Sequence, residues 1–206
     1  EGYQGYASLD VGYNVTKSKL TSTEVTATNN KNKKLKAPIF GASFGYFPAP
    51  QLRTEVALHY NPGDSVNFNA DAGATEKVET KLRMLSALLN VYYDLSNLNL
   101  ADGNVVPFIG VGFGVDHNDL KSLTYKDASN AVVAAKTAKG DKKLKFTAAG
   151  HIGVMAYLEN KIAINLQGTV KTGNTLKSKA NANGNKYSLK TKPTMAALAK
   201  LVYLID

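Results

Sequence analysis

The sequence predicts an all-β fold: an eight-stranded antiparallel up-and-down β-barrel that crosses a membrane. Seven stretches of the chain alternate apolar and polar residues with a period of two, and an eighth is more ambiguous. The connections between these stretches alternate between long and short along the chain. Strands of about ten residues, with long loops at one end and tight turns at the other, are typical of membrane-spanning barrels.

The clearest strand signal lies at residues 161–171. Ile162, Ile164, Leu166 and Val170 fall on one side of this segment, and polar or small residues fall on the other. Residues 52–61 repeat the pattern in the same way. Successive side chains of a strand point to opposite faces of its sheet, so both segments are predicted to be half-buried strands.

The remaining strands follow from the same alternation. The eight predicted strands cover about residues 3–16, 37–47, 53–61, 78–95, 107–116, 145–157, 161–171 and 191–205. Short connections rich in turn-forming residues lie at 48–51, 96–104 and 159–160. Long loops are predicted at about 17–36, 62–77, 118–143 and 172–190, and the whole chain, 1–206, is one domain. Segments 82–93 and 194–205 are also compatible with amphipathic helices, because Leu, Ala, Met and Lys favour helix.

Alternation alone does not say which face meets solvent, and a soluble lipocalin-like barrel is the alternative. The polar face here consists mainly of small residues with isolated charges, which suits the cramped lumen of an eight-stranded barrel. Aromatic residues of the apolar face lie near both strand ends, as in the two interfacial girdles of membrane barrels. These are Tyr3, Tyr46, Tyr93 and Tyr203 beside the short turns, and Tyr13, Phe40, Tyr60 and Phe146 beside the long loops. The membrane barrel is therefore favoured.

The bulk composition is compatible with this fold. The 206 residues contain no Cys, which excludes disulfides and thiolate sites, and the mean hydropathy is −0.21. No run approaches the roughly 18 apolar residues of a membrane helix. Because the sequence goes directly into a strand pattern, we expect an exported protein of the bacterial outer membrane whose signal peptide was removed.

Four blocks of the chain resemble the small OmpA/OmpX/Ail-like outer-membrane barrels. They are Phe40-Gly-Ala-Ser-Phe-Gly-Tyr-Phe, Leu52-Arg-Thr-Glu-Val, Val91-Tyr-Tyr-Asp-Leu and Pro107-Phe-Ile-Gly-Val-Gly-Phe-Gly. The Lys- and Asn-rich, Trp-free character is closest to the rickettsial surface adhesins of the Adr type. The resemblance implies a surface adhesin that binds a host protein or glycan. The end at Tyr203-Leu-Ile-Asp206 departs from the terminal aromatic residue usual in such barrels.

The positive charge is concentrated in three of the four predicted loops. Segments 17–36, 118–143 and 172–190 carry +5, +3 and +4, whereas 62–77 carries −2 and the chain carries +9. Such a surface would attract acidic partners, namely host serum or matrix proteins or sulfated glycans. The alternative is a solvated surface that faces outer-membrane lipid and lipopolysaccharide. The candidate ligand-binding residues are Lys31, Lys33, Lys34, Lys36, Lys142, Lys143, Lys177 and Lys179.

The polar face also carries charges that are predicted to lie inside the barrel. Buried charges must be paired or hydrogen-bonded, so we expect an interior polar network that fills the lumen, with a small conducting channel as the alternative. Its members are Asp10, Arg53, Glu55, Asp94 and Lys200, with Arg53 paired to Glu55 or a neighbouring carboxylate.

No chemistry beyond binding is predicted. His59 and His151 face inward without clustered carboxylates or Cys, so no metal site is expected. Ser43 or Ser86 could in principle approach a His, but no spacing motif supports a hydrolase. We expect no catalytic residue, no cofactor and no nucleic-acid partner, because no platform of aromatic and basic residues is present. The oligomeric state expected is a monomer.

Overall fold

The computed structural model describes most of the chain. The described residues are 4–22, 33–69, 77–98, 100–121, 123–127, 129, 131–134, 139, 141–158, 161–173, 175–180, 182, 184 and 186–206. Among these, no helix is long and apolar enough to cross a membrane.

Eight long strands form the wall of a closed antiparallel barrel, so the predicted fold class is confirmed. They are β1 (Gly5–Ser22), β2 (Lys33–Ala49), β3 (Leu52–Asn69), β4 (Lys77–Asp94), β5 (Val105–Leu120), β7 (Lys142–Tyr157), β8 (Ile162–Lys171) and β11 (Thr194–Ile205). Three short strands extend the wall at one end: β6 (Thr124–Lys126), β9 (Thr175–Lys177) and β10 (Tyr187–Thr191). Two 3-10 turns, Ser96–Leu98 and Ala101–Gly103, connect β4 to β5.

The barrel is closed by the pairing of its first and last strands. Each long strand pairs with its neighbours along the chain, and β1 pairs with β11 from Gly5↔Ile205 to Val15↔Met195. Closure leaves no unpaired strand edge in the wall, which is the condition for a sheet to lie in lipid. We call the end with the short connections the turn end and the opposite end the loop end.

The faces are inverted relative to a soluble barrel. Leu9, Phe44, Leu89 and Ile152 are 57–67% exposed on the outer surface, whereas the alternate positions of the same strands are largely buried. A continuous outer band of such residues is the surface expected in hydrocarbon, and the lipocalin-like alternative is wrong. The helical alternative for 82–93 and 194–205 is also wrong, because cross-strand pairing outweighs the helix propensity of Leu, Ala and Lys.

Aromatic side chains border this apolar band at both ends. Tyr46, Tyr93 and Tyr203 are exposed near the turn end, and Tyr13, Phe40, Tyr60 and Phe146 are exposed nearer the loop end. Tyr3 lies outside the described residues. Aromatic rings with a polar group favour the boundary between hydrocarbon and water, so the two rows mark the membrane-spanning part of each strand.

The strands continue well past the boundaries predicted from the sequence. β1 reaches Ser22 and β3 reaches Asn69, and β9 and β10 lie within the segment predicted as a fourth loop. Most of the segments predicted as long loops are therefore partly strand. The lipid-facing signal ends there because the apolar residues change face: the inward-pointing Leu35, Leu120 and Leu189 are buried, whereas the outward positions beside them are polar.

A β-bulge in β3 marks this transition. The register of β3 against β4 shifts between Asn61 and Asp64. Gly63 has φ +87°, and an added Cβ would lie 2.1 Å from the carbonyl oxygen of Leu82. The Asn61 side chain accepts a hydrogen bond from the Gly63 N–H at 2.8 Å. Positive φ and the close backbone approach together require glycine at this position.

Glycines inside the lumen make room for two tyrosines. An added Cβ at Gly45 would lie 2.1 Å from the ring of Tyr6, and one at Gly110 would lie 2.4 Å from the ring of Tyr92. Each glycine faces its tyrosine across a strand pair, Tyr6↔Gly45 and Tyr92↔Gly110. The two tyrosine rings therefore occupy the space that the glycines opposite them leave free.

The outer band predicts a position-dependent cost of charge. Leu89→Lys, near the middle of the membrane-spanning part of β4, should lower the free energy of unfolding by about 2–4 kcal/mol in lipid vesicles. Leu144→Lys, on the loop-end side of Phe146, should cost about 0–1 kcal/mol because its ammonium reaches water. The measurement is the urea unfolding midpoint of both variants; equal shifts would contradict the assignment of the lipid-facing band.

Candidate functional site in the lumen and at the loop end

The structure places all five predicted interior residues in the lumen. Each is at most 3% exposed: Asp10, Arg53, Glu55, Asp94 and Lys200. Arg53 donates from Nε to both carboxylate oxygens of Asp94, at 2.9 and 2.8 Å. Its guanidinium carbon lies 4.8 Å from the ring centre of Tyr92 and 4.7 Å from that of Phe108, so aromatic faces stabilise the buried cation.

The carboxylate of Glu55 is the centre of the interior network. Its Oε1 accepts hydrogen bonds from Lys200 Nζ at 2.7 Å, Asn90 Nδ2 at 3.0 Å and the Tyr92 hydroxyl at 3.0 Å. Its Oε2 accepts one from the Tyr6 hydroxyl at 2.9 Å. Four donors from three strands, β1, β4 and β11, satisfy this one buried charge, which is what a buried carboxylate requires.

Of the two partners predicted for Arg53, Glu55 or a neighbouring carboxylate, the structure has the second. Arg53 pairs with Asp94, and Glu55 pairs with Lys200. Residues two apart on one strand point the same way but lie about 7 Å apart along it, so each finds its partner on another strand. Sequence alternation identifies which residues face the lumen, but it does not identify their ion-pair partners on other strands.

Asp10 joins a second branch of the network. Its carboxylate accepts hydrogen bonds from the hydroxyls of Ser8 at 2.7 Å and Ser43 at 2.5 Å, and it lies 3.6 Å from Lys200 Nζ. His59 Nε2 contacts the same carboxylate at 2.8 Å. Ser43 and His59 thus both bind Asp10, whereas a hydrolytic triad needs the serine hydrogen-bonded to the imidazole.

A chain of amide and imidazole groups continues from Glu55 across the lumen. Asn90 donates to Glu55 through Nδ2, so its Oδ1 accepts from His151 Nε2 at 3.1 Å. His151 Nδ1 then accepts from Gln167 Nε2 at 2.9 Å, beside the hydroxyl of Thr169. These contacts assign a neutral imidazole with its proton on Nε2. His151 is held as a structural link.

A further ion pair lies closer to the loop end and was missing from the predicted interior set. Lys171 Nζ contacts Asp116 Oδ1 at 2.8 Å and donates to the Ser86 hydroxyl at 2.8 Å. Both charged residues fall on the polar faces of their strands. That alternation is the signal that identifies them. Ser86 lies opposite His59 in the β3–β4 register, but its hydroxyl accepts a hydrogen bond from Lys171.

The remaining space in the lumen is small. Two cavities between the network and the loop end have volumes of about 30 and 50 Å³. Volumes of this size accommodate a few water molecules. Polar groups such as Asn14, Asn61 and Lys171 line both cavities, so the space is suited to water. Among the described residues, no group of three or more His, Asp or Glu side chains is placed to hold a metal ion.

The predicted ligand-binding lysines are distributed over two sides of the loop end. Lys33, Lys34 and Lys36 lie on β2, Lys142 and Lys143 lie on β7, Lys177 lies on β9 and Lys179 follows it. Five of these lysines therefore belong to long strands that extend into the segments predicted as loops. Lys177 belongs to a short strand within such a segment. Lys31 lies outside the described residues.

We call one side of the loop end the basic wall. It consists of the loop-end parts of β9, β10, β1 and β2 and presents the exposed residues Lys17, Lys34, Lys36, Lys177, Lys190 and Lys192. The sequence contains no Asp or Glu from 160 to 205 and only Glu24 from 11 to 54. Lys17 lies directly opposite Lys34 in the β1–β2 ladder, an arrangement of like charges that costs stability.

The opposite side, formed by β4 to β7, is the mixed wall. Its lysines are accompanied by carboxylates: Lys126 contacts Glu79 at 2.7 Å and Lys121 contacts Asp119 at 3.2 Å. Lys143 lies 3.9 Å from Asp141. Beyond these pairs, Asp127 accepts hydrogen bonds from the hydroxyl and backbone N–H of Ser129 and from the Ala131 N–H, which hold the pKa of its carboxyl below the usual value. The positive field of the loop end is consequently one-sided.

Comparisons with known proteins identify the fold. No protein-family profile and no curated protein matches the sequence. Among solved structures, the outer-membrane protein OprG from Pseudomonas aeruginosa has a TM-score of 0.60 at 15% identity, over 98% of this chain and 97% of that chain. Neisserial surface protein A has a TM-score of 0.51 at 14% identity, over 98% and 99%.

A third structure widens the range of functions on this architecture. The outer-membrane protease OmpT from Escherichia coli has a TM-score of 0.51 at 10% identity, over 98% of this chain and 97% of that chain. At such low identity these likenesses show the fold alone. Because one of the three is a protease, function has to be argued from the side chains of this chain.

The ion-pair assignment can be tested by rescue. Arg53→Met should destabilise the barrel by about 3–5 kcal/mol, because it leaves the Asp94 carboxylate buried without its partner. Adding Asp94→Asn should recover most of that loss, whereas adding Glu55→Gln should not, since Glu55 is paired with Lys200. The measurement is the urea unfolding midpoint in detergent micelles. Rescue by Glu55→Gln instead would indicate that Arg53 pairs with Glu55 and would contradict the assignment.

The filled lumen predicts the absence of conduction. Tyr6, Arg53, Tyr92 and Phe108 are fully buried at the turn-end half of the lumen and close it to a column of water. Planar-bilayer recordings of the folded protein should show no sustained conductance steps. Stable steps that survive a change of detergent and protein preparation would contradict a plugged lumen.

Proposed function

We propose that this protein is a bacterial outer-membrane surface protein that binds acidic host molecules through the lysines of its loop end. The resemblance of four sequence blocks to small outer-membrane barrels and Adr-type adhesins supports this proposal. The observation that carries it is the one-sided basic wall: its lysines are exposed on adjacent strands, and Glu24 is the one acidic residue that the sequence contains in segments 11–54 and 160–205.

The electrostatics of the basic wall suit capture of a polyanion. Exposed charges within about 10 Å of one another add to a common field at 0.1 M salt, and the lysines of β10, β1 and β2 lie on adjacent strands. Like charges held opposite one another cost folding free energy, and a bound anion would relieve that cost. Sulfated glycans and acidic stretches of serum or matrix proteins supply such anions.

Outer-membrane residence and export with removal of a signal peptide belong to the same proposal. The exposed apolar band bounded by aromatic residues is suited to a bilayer, and the strands meet lipid along their whole membrane-spanning part. The end with the extended strands and basic wall would then face the outside of the cell. The chain would act as a monomer, since closure leaves no strand edge for pairing.

We also propose that the protein is neither an enzyme nor a channel. The interior serines, histidines and carboxylates bind one another in a network that leaves none of them poised as an activated nucleophile. No cofactor is required for binding through surface lysines. The basic loop end does not suit nucleic acid, because its lysines lack the interleaved aromatic residues on which bases stack.

Adhesion by this surface should be sensitive to salt and to four lysines. Replacing Lys31, Lys33, Lys34 and Lys36 together by Gln should weaken binding of immobilised heparin and of host matrix proteins. The free energy of unfolding should stay within about 1 kcal/mol of the parent value. Binding by the parent should fall steeply between low and physiological salt, because exposed charges are screened. Surface plasmon resonance on the detergent-solubilised protein measures both effects.

The matched control removes the same number of charges from the mixed wall. The variant Arg83→Gln, Lys121→Gln, Lys126→Gln, Lys139→Gln should retain most of the binding, since three of these cations lie beside Asp119 or Glu79. Equal loss in both variants would show that net charge alone attracts the ligand. Absence of binding by the parent to any of the host molecules would overturn adhesion and favour a structural barrel.

A further inference from the structure

We propose that the outer surface of β8, β11 and β1 holds one phosphorylated, multiply acylated glycolipid of the outer leaflet. The lipid phosphate would bind a row of outward-facing lysines, and the acyl chains would lie in an apolar groove on the same strands. This inference rests on the proposed outer-membrane residence and goes beyond the proposed adhesion, because it assigns Lys17, Lys34 and Lys192 of the basic wall, with the groove below them, to a membrane lipid.

The lysines continue the lipid-facing side of their strands. On β1, Leu9, Val11, Tyr13 and Val15 alternate outward, and the next position in that series is Lys17. On β2 the outward series runs back from Phe40 to Lys34, which pairs with Lys17. Lys17 and Lys34 therefore project sideways over the surrounding lipid, which is where a lipid phosphate lies.

A β-bulge adds a third lysine to the row. Ser18 pairs with Thr191, and Val15 pairs with Met195. The segment 191–195, which joins β10 to β11, therefore contains one residue more than the segment 15–18 of β1 that it faces. The extra length falls at Lys192 and Pro193, and the Lys192 N–H donates to the Lys17 carbonyl at 2.8 Å. Both Lys192 and Pro193 are exposed. Since Pro has no N–H, the ladder is interrupted here and the exposed Lys192 lies next to Lys17.

The spacing suits a doubly charged phosphate. Adjacent strands lie about 4.8 Å apart, so Lys192, Lys17 and Lys34 span about 10 Å on three neighbouring strands. Lys17 lies four residues beyond the girdle residue Tyr13, which is about 13 Å along the strand and less in height because barrel strands tilt. The row is consequently level with the polar groups of the outer leaflet.

An apolar groove lies beneath this row. Its floor is formed by Gly168, Ala197 and Ala199, its sides include Tyr13, Ile152 and Leu166, and its volume is about 800 Å³. Tyr13↔Ala197, Ala197↔Gly168 and Gly168↔Ile152 are register partners, so the groove crosses three strand interfaces. A depression of this size on the lipid-facing surface accommodates acyl chains, whereas a soluble anion would leave it unused.

The mixed wall lacks the same combination of features. At a corresponding position, the outward residue Arg83 lies opposite Asp119 in the β4–β5 register, and Lys121 contacts the Asp119 carboxylate at 3.2 Å. The protein therefore already supplies the anion on that side. Charge complementarity between the lysine row and a phosphate, together with the groove below it, selects the β8–β11–β1 surface for an anionic lipid.

The test is a lipid titration of the folded protein in a neutral detergent, with the bound fraction measured by native mass spectrometry. The probes are hexa-acylated bisphosphorylated lipid A, the same lipid without its phosphates, and inorganic phosphate. We expect lipid A to bind at 1:1 and the other two probes to bind weakly or not at all. Each lysine near an anionic lipid surface contributes about fivefold in affinity, so Lys17→Gln with Lys192→Gln should weaken lipid A binding about 25-fold.

Two further variants separate the phosphate from the acyl part. Arg83→Gln with Lys121→Gln removes the same charge from the mixed wall and should leave lipid A binding unchanged. Gly168→Leu fills the groove, with room for its Cβ at 3.7 Å from the nearest atoms, and should weaken binding of lipid A in the presence of both lysines.

Three results would overturn the proposal. An equal loss of lipid A affinity in the Lys17/Lys192 variant and in the Arg83/Lys121 variant would show that net charge alone attracts the lipid. Undiminished binding of the dephosphorylated lipid would remove the lysine row from the site. Tight binding of inorganic phosphate that Gly168→Leu leaves unchanged would identify an anion site without a lipid. Unfolding midpoints of all variants, measured without lipid, control for altered folding.

Discussion

The rest of the structure depends on the narrow lumen that eight strands enclose. Such a lumen is filled by side chains, so a charge pointing inward has to be neutralised by another side chain. Glu55 meets this condition with four donors, and Arg53 meets it with Asp94 and two aromatic faces. Because the partners come from different strands, the network ties the barrel wall together across its interior.

The same constraint separates the functions of the two ends. The turn-end half of the lumen is occupied by Tyr6, Tyr92 and Phe108, and cavities of about 30 and 50 Å³ lie towards the loop end. Interior polar groups are committed to one another, so the proposed binding uses the outer surface. There the strands extend beyond the lipid, and their two sides differ: carboxylates accompany the cations of the mixed wall, whereas lysines face lysines on the basic wall.

Opposed lysines such as Lys17 and Lys34 make the basic wall less stable than a mixed surface would be. Binding of an anion would offset this cost in folding free energy. The two proposed classes of anion would contact different heights of the wall. Host polyanions would reach the exposed ends of β2 and β9, and lipid phosphates would reach the outward row just above the aromatic girdle. The two sites would overlap at Lys17, Lys34 and Lys192, which belong both to the basic wall and to the lipid-facing row.

The sequence by itself determined the number of strands, the face of each strand that meets lipid, and the five charged residues that face the lumen. Period-two alternation carries that information wherever one face is buried and the other is in hydrocarbon. Tertiary structure decided the partners: Asp94 rather than Glu55 for Arg53, and the Lys171–Asp116 pair. It also decided where strands end beyond the membrane, because the apolar residues there change from the outward to the inward face. How the lysines divide between two walls was likewise decided by tertiary structure, because that depends on cross-strand register.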